Sequence, residues 1–114
     1  HEMLDGIAPK LEHYMDLLAR RQRIVASNIA NIDTPGYRTK DIDFQSEYRN
    51  QMRGVAPAVV EVRGLQGKND GNNVSMDRET RLLAENALRF NVAASLLRSQ
   101  LQAVRSAIQE GRGA

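Results

Sequence analysis

The segment Ser27-Asn28-Ile29-Ala30-Asn31-Ile32-Asp33-Thr34-Pro35-Gly36-Tyr37 divides the chain, because a helix that enters this segment must end within it. Pro35 disfavours helical geometry at Thr34, so the helix ends before that residue. Pro35 and Gly36 suit the central positions of a type II turn, where glycine adopts positive φ without steric cost. The polar side chains can hydrogen-bond the last helix carbonyls, and Tyr37 offers an apolar anchor beyond the turn. A simple helix stop needs only glycine or proline, so these many specified positions indicate that the chain exit also contacts a neighbour.

Upstream of this exit segment (residues 27–37), the sequence predicts one helix from about Leu4 to Asn31. Apolar residues recur every seven positions, with two more in the intervening positions: Leu4, Leu11, Leu18, Val25 and Ile32, then Ile7 and Tyr14. Pro9 indicates that the regular helix begins near it, with the preceding residues frayed or offset. Arg21 and Asn28 fall on the same stripe. They either penalise slipped registers or face solvent at a wider interface, and the sequence leaves both interpretations open.

Downstream, residues 76–114 predict a second and longer helix. Asp77 is its predicted N-cap, and Gly111 and Gly113 mark its predicted end. Its two heptad positions are apolar: Leu83, Phe90, Leu97 and Val104 in one, and Ala87, Ala94, Leu101 and Ile108 in the other. Three further leucines lie beside this stripe and widen the apolar face: Leu82, Leu88 and Leu96.

The length of these helices decides the fold class. A helix over 78–110 would be about 50 Å long, whereas a compact domain of this size is roughly 35 Å across. We therefore predict an all-α fold, a single elongated subunit whose two long amphipathic terminal helices form an antiparallel coiled-coil-like pair. Such a pair buries one stripe and leaves apolar surface for other subunits. The predicted assembly seam consists of Leu11, Leu18, Val25, Leu83, Phe90, Leu97, Leu101, Val104 and Ile108.

The middle of the chain differs in composition from the two predicted helices. We divide the chain into an N-terminal helix (1–32), a terminator turn with a flexible middle segment (33–75) and a C-terminal helix (76–114). The middle is long, irregular or partly β, and two strand-like pieces at 42–44 and 58–62 can pair or stack on neighbours. Alone they bury too little to offset an ordering entropy of about 1–2 kcal/mol per residue. We expect much of 38–75 to be mobile in the isolated monomer, which amide hydrogen exchange would test.

Composition excludes several classes of function. The 114 residues include no cysteine and two histidines and carry a net charge of +2, so we expect no metal site, no cofactor and no nucleic-acid partner. The stretch 70–81 fails as a calcium loop, because Ser75 and Arg81 replace the required glycine and glutamate. Asp41 and Asp43 lack a visible partner that would tune a catalytic carboxylate, so we expect no enzyme. Apolar runs are too short to insert into a membrane, and the start lacks the pattern of a cleavable secretion signal.

The exit segment also carries a family resemblance. Asn28-Ile29-Ala30-Asn31 followed by Thr34-Pro35-Gly36-Tyr37 resembles the signature of bacterial flagellar basal-body rod proteins. The stretches 41–44, 70–79 and 106–112 look like those of the proximal-rod members of that family. Ile32 stands where the signature usually has a small residue, and residues 45–68 match no pattern of the family.

This resemblance implies a structural subunit without enzymatic activity. It implies axial polymerisation into the periplasmic drive shaft, which transmits torque from the MS-ring to the hook and filament in bacterial motility. It further implies a tube whose inner coiled-coil layer is built by the terminal helices. The implied partners are the protein itself, other rod subunits, the MS-ring, an adaptor of the FliE type and the flagellar type III export apparatus, with export that needs no cleavable signal. From the residues alone, a non-polymerising helical adaptor or closed coiled-coil dimer buries the heptads equally well.

Overall fold

The computed structural model describes residues 2–50 and 58–113, and their side chains over 6–47 and 58–112. Two long helices enclose a middle segment that holds two short strands and a short helix. In chain order the elements are α1 (Glu2–Ala30), β1 (Lys40–Ile42), α2 (Phe44–Asn50), β2 (Val59–Glu61) and α3 (Met76–Gly113). The chain is therefore mostly helical, with its long helices at the two ends, as the sequence predicts.

Helix α1 runs without interruption through Pro9, so the prediction that the regular helix begins near this residue is wrong. Proline removes one backbone hydrogen bond and crowds the preceding turn, but here the helix continues on both sides of it. The other end of α1, at Ala30, lies within one residue of the predicted end.

Helix α3 lies within the predicted range 76–114, but its cap and its last turn differ from the prediction. Ser75 is the N-cap, because its hydroxyl accepts the Arg78 N–H at 3.3 Å and its carbonyl accepts the Glu79 N–H at 3.0 Å. The prediction of Asp77 as the cap is therefore wrong, although its charge in the first turn still favours the helix. At the other end the helix continues through Gly111, since glycine in a helix costs only about 1 kcal/mol and does not by itself end one.

The two long helices pack against each other along their length. Asn28 contacts Glu79, Gln22 contacts Asn86, and the Tyr14 hydroxyl accepts a long hydrogen bond from Arg89. Successive contacts thus pair later residues of α3 with earlier residues of α1. The buried apolar residues of the two helices are Leu17, Leu18 and Val25 of α1 and Leu82 and Ala93 of α3.

The buried face of α3 differs from the predicted one. Leu82, Asn86 and Ala93 are buried, and each lies one residue before a predicted heptad position (83, 87 and 94). One residue is about 100° of helix rotation, so the strongest apolar repeat flanks the packed face. Leu83 and Phe90 consequently remain 38% and 37% exposed. The heptad count missed this because polar Glu79 and Asn86 occupy the packed face, where hydrogen bonds satisfy them.

The middle segment forms a two-stranded antiparallel sheet, which pairs Ile42 with Val59 and Lys40 with Glu61. The predicted strand-like pieces do pair, but the first ends at Ile42 because α2, which the sequence analysis missed, begins at Phe44. Asp43 caps α2, since its side chain accepts the Ser46 N–H at 3.2 Å. Ile42 and the neighbouring Asp41 are buried against α1. The mobility expected for 38–75 stays a prediction, and residues 51–57 of that range lie outside the described residues.

The molecule is elongated, with principal extents of 72 × 26 × 17 Å. Its radius of gyration of 18.8 Å exceeds the value of about 13 Å expected for a compact chain of this length. Helix α3 is nine residues longer than α1 (38 against 29), and the side chains of 105–112 are all exposed. Across the described residues, neither long helix has an apolar stretch that could span a bilayer.

Candidate functional site

Asn28 is the centre of a polar cluster at the end of α1, which we call the exit cluster (Arg21, Asn28, Tyr37, Thr39, Asp41, Asn72, Asn73, Arg78 and Glu79). The Asn28 amide nitrogen donates to the Lys40 carbonyl at 2.8 Å and to Glu79 Oε1 at 2.6 Å. Its oxygen accepts the Tyr37 hydroxyl at 2.9 Å and the Lys40 N–H at 3.1 Å. Both donors and both acceptor sites of a fully buried side chain are therefore used. The interpretation that Asn28 faces solvent is wrong.

The turn after α1 has the predicted type II geometry. Gly36 adopts a φ of +75°, and the Tyr37 N–H donates to the Thr34 carbonyl at 3.2 Å. Asn31 supports the turn from the helix side, since its oxygen accepts the Thr34 hydroxyl at 3.0 Å and its nitrogen donates to the Ser27 carbonyl at 2.8 Å. The exit direction of the chain is thereby set by local hydrogen bonds.

A loop before α3 docks on this turn. The buried Asn72 amide nitrogen donates to the carbonyls of Asn31 and Thr34, both at 2.8 Å, and so caps the end of α1 from a distance of about forty residues along the chain. The Gly36 N–H donates to the Asp70 carbonyl at 2.8 Å. A β-carbon on Gly71 would lie 3.5 Å from the Gly36 α-carbon, so the two backbones approach closely.

Asn73 extends the docking to the start of β1. Its side-chain oxygen accepts the Thr39 N–H at 2.6 Å, and its carbonyl accepts the Thr39 hydroxyl at 3.1 Å. Its own N–H donates to the Tyr37 carbonyl at 3.2 Å. Thr39 and Asn73 are both buried, so these bonds form away from water.

Charged side chains complete the exit cluster. Arg21 of α1 donates to both oxygens of Asp41, at 2.9 and 2.8 Å, and Arg78 of α3 donates to Asp41 Oδ2 at 2.6 Å and to Glu79 Oε2 at 2.7 Å. Burial raises the pKa of Asp41, but the hydrogen bonds and charge of Arg21, the Ile42 N–H and Arg78 outweigh it, so this pKa lies below its ordinary value. For Arg78 the directions are reversed: burial lowers its pKa, but the hydrogen bonds and charges of Glu79 and Asp41 outweigh burial, so this pKa lies above its ordinary value. The two arginines and two carboxylates balance in charge.

The structure brings most signature residues into this region. Asn28, Asn31, Thr34, Gly36 and Tyr37 take part in the bonds above, whereas Ile29 is half-buried and both Ala30 and Pro35 are exposed. The sequence analysis missed the distant partners of the cluster: Asp41, Asn72, Asn73, Arg78 and Glu79. The signal that points to them is the asparagine on an apolar helix face, because a buried amide requires polar partners.

The predicted assembly seam separates into two groups. Leu18 and Val25 are buried within the chain, at 2% and 1% exposure, so in this structure they belong to the helix pair and not to its free surface. They pack under α3 because the helix pair covers that face of α1. Leu11, Leu97 and Val104 are half-buried. The remaining members are between 37% and 50% exposed: Leu83, Phe90, Leu101 and Ile108.

Two apolar grooves run between the long helices. The alanine groove, of about 490 Å³, is lined chiefly by Ala19, Ala26, Ala87 and Phe90. The leucine groove, of about 370 Å³, is lined chiefly by Leu11, Tyr14, Leu88, Val92 and Leu96. Leu88 and Phe90 are two residues apart, about 200° of rotation, so the grooves open on opposite flanks of the helix pair. Leu88, Val92 and Leu96 are more than half exposed, which makes this flank strongly apolar.

Comparison with known proteins identifies similar chains. A family described as "Flagella basal body rod protein" matches residues 15–38, which include the whole exit segment. The chain is 36% identical to the flagellar basal body rod protein FlgB of Salmonella typhimurium and 32% identical to that of Yersinia enterocolitica. It is 31% identical to the FlgB of Escherichia coli, and each of these matches covers 96% of this chain and 98% of the relative.

Proposed function

The chain belongs to the flagellar basal-body rod proteins of the FlgB type, and from that premise we propose that it polymerises axially into the proximal rod. In this role it is part of the drive shaft that transmits torque from the MS-ring to the hook and filament. Its proposed partners are further copies of itself, other rod subunits, the MS-ring, a FliE-type adaptor and the type III export apparatus. The proposed location is the periplasmic rod, reached without a cleavable signal.

The observation that carries this proposal is the apolar surface on two opposite flanks of one elongated molecule. The two grooves have different volumes and linings, so one flank is not a copy of the other. Contacts between unlike surfaces are heterologous, and heterologous contacts continue from copy to copy unless they close a ring. A closed dimer would cover one flank and leave the other in water. Open growth therefore accounts for both flanks, which favours the shaft over the alternative of a non-polymerising helical adaptor or dimer.

The size of the exposed side chains supports a hydrophobic driving force. Leu88, Leu96 and Leu101 are each at least half exposed, and completing the burial of one such leucine contributes of the order of 1 kcal/mol. Because several such residues occur on the flanks, their burial between copies would offset part of the cost of ordering a subunit. We propose that the antiparallel coiled-coil-like pair of α1 and α3 forms the inner layer of the tube.

The proposal is tested by measuring mass across concentration for the wild type and for Leu101→Asp. Leu101 is half exposed, so the monomer should fold while assembly and motility are lost. Gln102→Asp is the matched control, since it adds the same charge at the next, exposed position. A plateau at dimer mass would support the adaptor, and normal assembly of Leu101→Asp would contradict the assembly seam.

A further inference from the structure

The first half of α1 and the last part of α3 carry opposite charge, although α1 as a whole is neutral because Arg20, Arg21 and Arg23 follow its acidic first half. Residues 2–16 contain four acidic side chains and one lysine, whereas residues 91–112 contain three arginines and one glutamate. On α1, Glu12 and Asp16 are exposed and form what we call the acidic face. On α3, Arg98, Arg105 and Arg112 recur every seven residues, are all exposed, and form the basic ridge.

The basic ridge also lies beside exposed apolar side chains. Leu101 and Ile108, each 50% exposed, alternate with its arginines along α3. Arg98 donates to the neighbouring Ser95 hydroxyl at 3.2 Å, and in the described part of the chain Arg105 and Arg112 have no ion-pair partner. Such a helix edge is complementary in charge to an acidic partner surface.

The two charged surfaces point in different directions. Arg98 and Arg105 lie five and twelve residues beyond buried Ala93. These spacings correspond to about 140° and 120° of helix rotation, so both side chains project away from α1. Glu12 and Asp16 lie on the side of α1 opposite to buried Leu18 and Val25 and so project away from α3. In one molecule, the acidic face and the basic ridge therefore lie on opposite sides of the helix pair and cannot neutralise each other.

We propose that the basic ridge of one copy binds the acidic face of the next copy in the polymer. This contact rests on the proposed function. It gives the polymer a direction, because each copy binds one neighbour through its basic ridge and another through its acidic face. Asp16 has only an exposed ion pair with Arg20, which exchanges readily for a neighbouring arginine. An anionic lipid or nucleic acid would meet the basic ridge but would leave the acidic face of the same molecule without a role.

Charge reversal tests this contact on the full chain. Arg98→Glu with Arg105→Glu makes the ridge acidic, and Glu12→Lys with Asp16→Lys makes the face basic, so each double variant repels its own copies. We expect each to raise the critical concentration for assembly at least about tenfold. An equimolar mixture of the two double variants, and a single chain carrying all four changes, should both assemble near the wild-type concentration.

Two controls accompany this experiment. Arg63→Glu with Arg81→Glu changes the net charge by the same amount at exposed positions outside the ridge, and should leave assembly unchanged. Raising the salt from about 0.05 M to about 0.5 M should weaken wild-type assembly, because exposed charge pairs are screened. Circular dichroism should be unchanged for every variant, since all the altered side chains are exposed.

The outcomes separate the two proposals. If the wild type stays at a fixed small mass at all concentrations, the shaft itself is contradicted. If the wild type polymerises but the reversed variants match Arg63→Glu with Arg81→Glu, or if the mixture is not rescued, only the charge contact is overturned. Rescue in the mixture supports it, because a merely structural defect would persist when the two defective chains are combined.

Discussion

Replacing Asn28 with alanine is expected to destabilise the chain far more than its size suggests. The change removes four hydrogen bonds at once and leaves Glu79 Oε1, the Lys40 N–H and carbonyl and the Tyr37 hydroxyl without this partner. Lys40 is exposed and Tyr37 half-buried, so water can reach part of the gap, but Glu79 is fully buried. The three bonds whose partners water can reach cost about 0.5 kcal/mol each, and the buried Glu79 oxygen left unpaired costs about 1–3 kcal/mol, so we expect a loss of about 3–4 kcal/mol.

This loss is a large fraction of the free energy of unfolding of an ordinary domain, which is roughly 5–15 kcal/mol. The midpoint of thermal unfolding should fall by about 10–15 °C, and the urea midpoint should shift in proportion. The matched control is Asn31→Ala, whose two side-chain bonds lie at the exposed surface and should contribute about 1 kcal/mol in total. Equal effects of the two substitutions, measured by circular dichroism, would refute the assignment of Asn28 as the centre of the exit cluster.

Two further predictions concern the charged and backbone parts of the same region. Because the folded-state pKa of Asp41 lies below its unfolded value, the stability it contributes is complete above about pH 4 and is lost as pH falls through the folded-state pKa. Asp41→Asn should therefore cost about 2–3 kcal/mol at pH 7, and urea unfolding across pH should find this difference shrinking below pH 4; a difference independent of pH would contradict the ion pairs. Gly36→Ala should cost about 1–2 kcal/mol because of its φ of +75°, whereas Gly111→Ala, with open space inside α3, should gain up to about 1 kcal/mol. Equal melting temperatures for the two alanine variants would contradict this.

The long helices could be predicted from the sequence because their signal is local and repeated. Heptads of leucine and valine identify a helix wherever it packs, and the Pro35-Gly36 pair alone predicts both the end of α1 and the turn type. The α2 helix could not be predicted in this way, since seven residues carry too little periodicity. Its stability depends on the Asp43 cap and on an edge-to-face contact between Phe44 and Tyr14, whose ring centroids are 5.8 Å apart.

The packed face of α3 could not be predicted because it depends on pairs that are distant in sequence. Hydropathy places Glu79 and Asn86 on the solvent side of any heptad assignment. Their burial becomes favourable only when Asn28 and Gln22, more than fifty residues away, supply hydrogen bonds. The same reasoning applies to Asn72, because nothing in the sequence around it indicates that its side chain caps α1. The local sequence pattern around one residue of such a pair does not identify its distant partner.

These polar pairs determine the alignment of α1 with α3. A shift of one heptad would keep leucine and valine on the contact face, so apolar packing alone would tolerate it. The same shift would separate Asn28 from Glu79 and leave both buried without partners, which costs several kcal/mol. The many specified positions of the exit segment are thus accounted for by bonds inside the chain, to β1, the 70–73 loop and α3. Because these bonds hold the alignment, the flanks with Leu88 and Leu101 stay in constant register with the charged faces, as the proposed polymer of identical contacts requires.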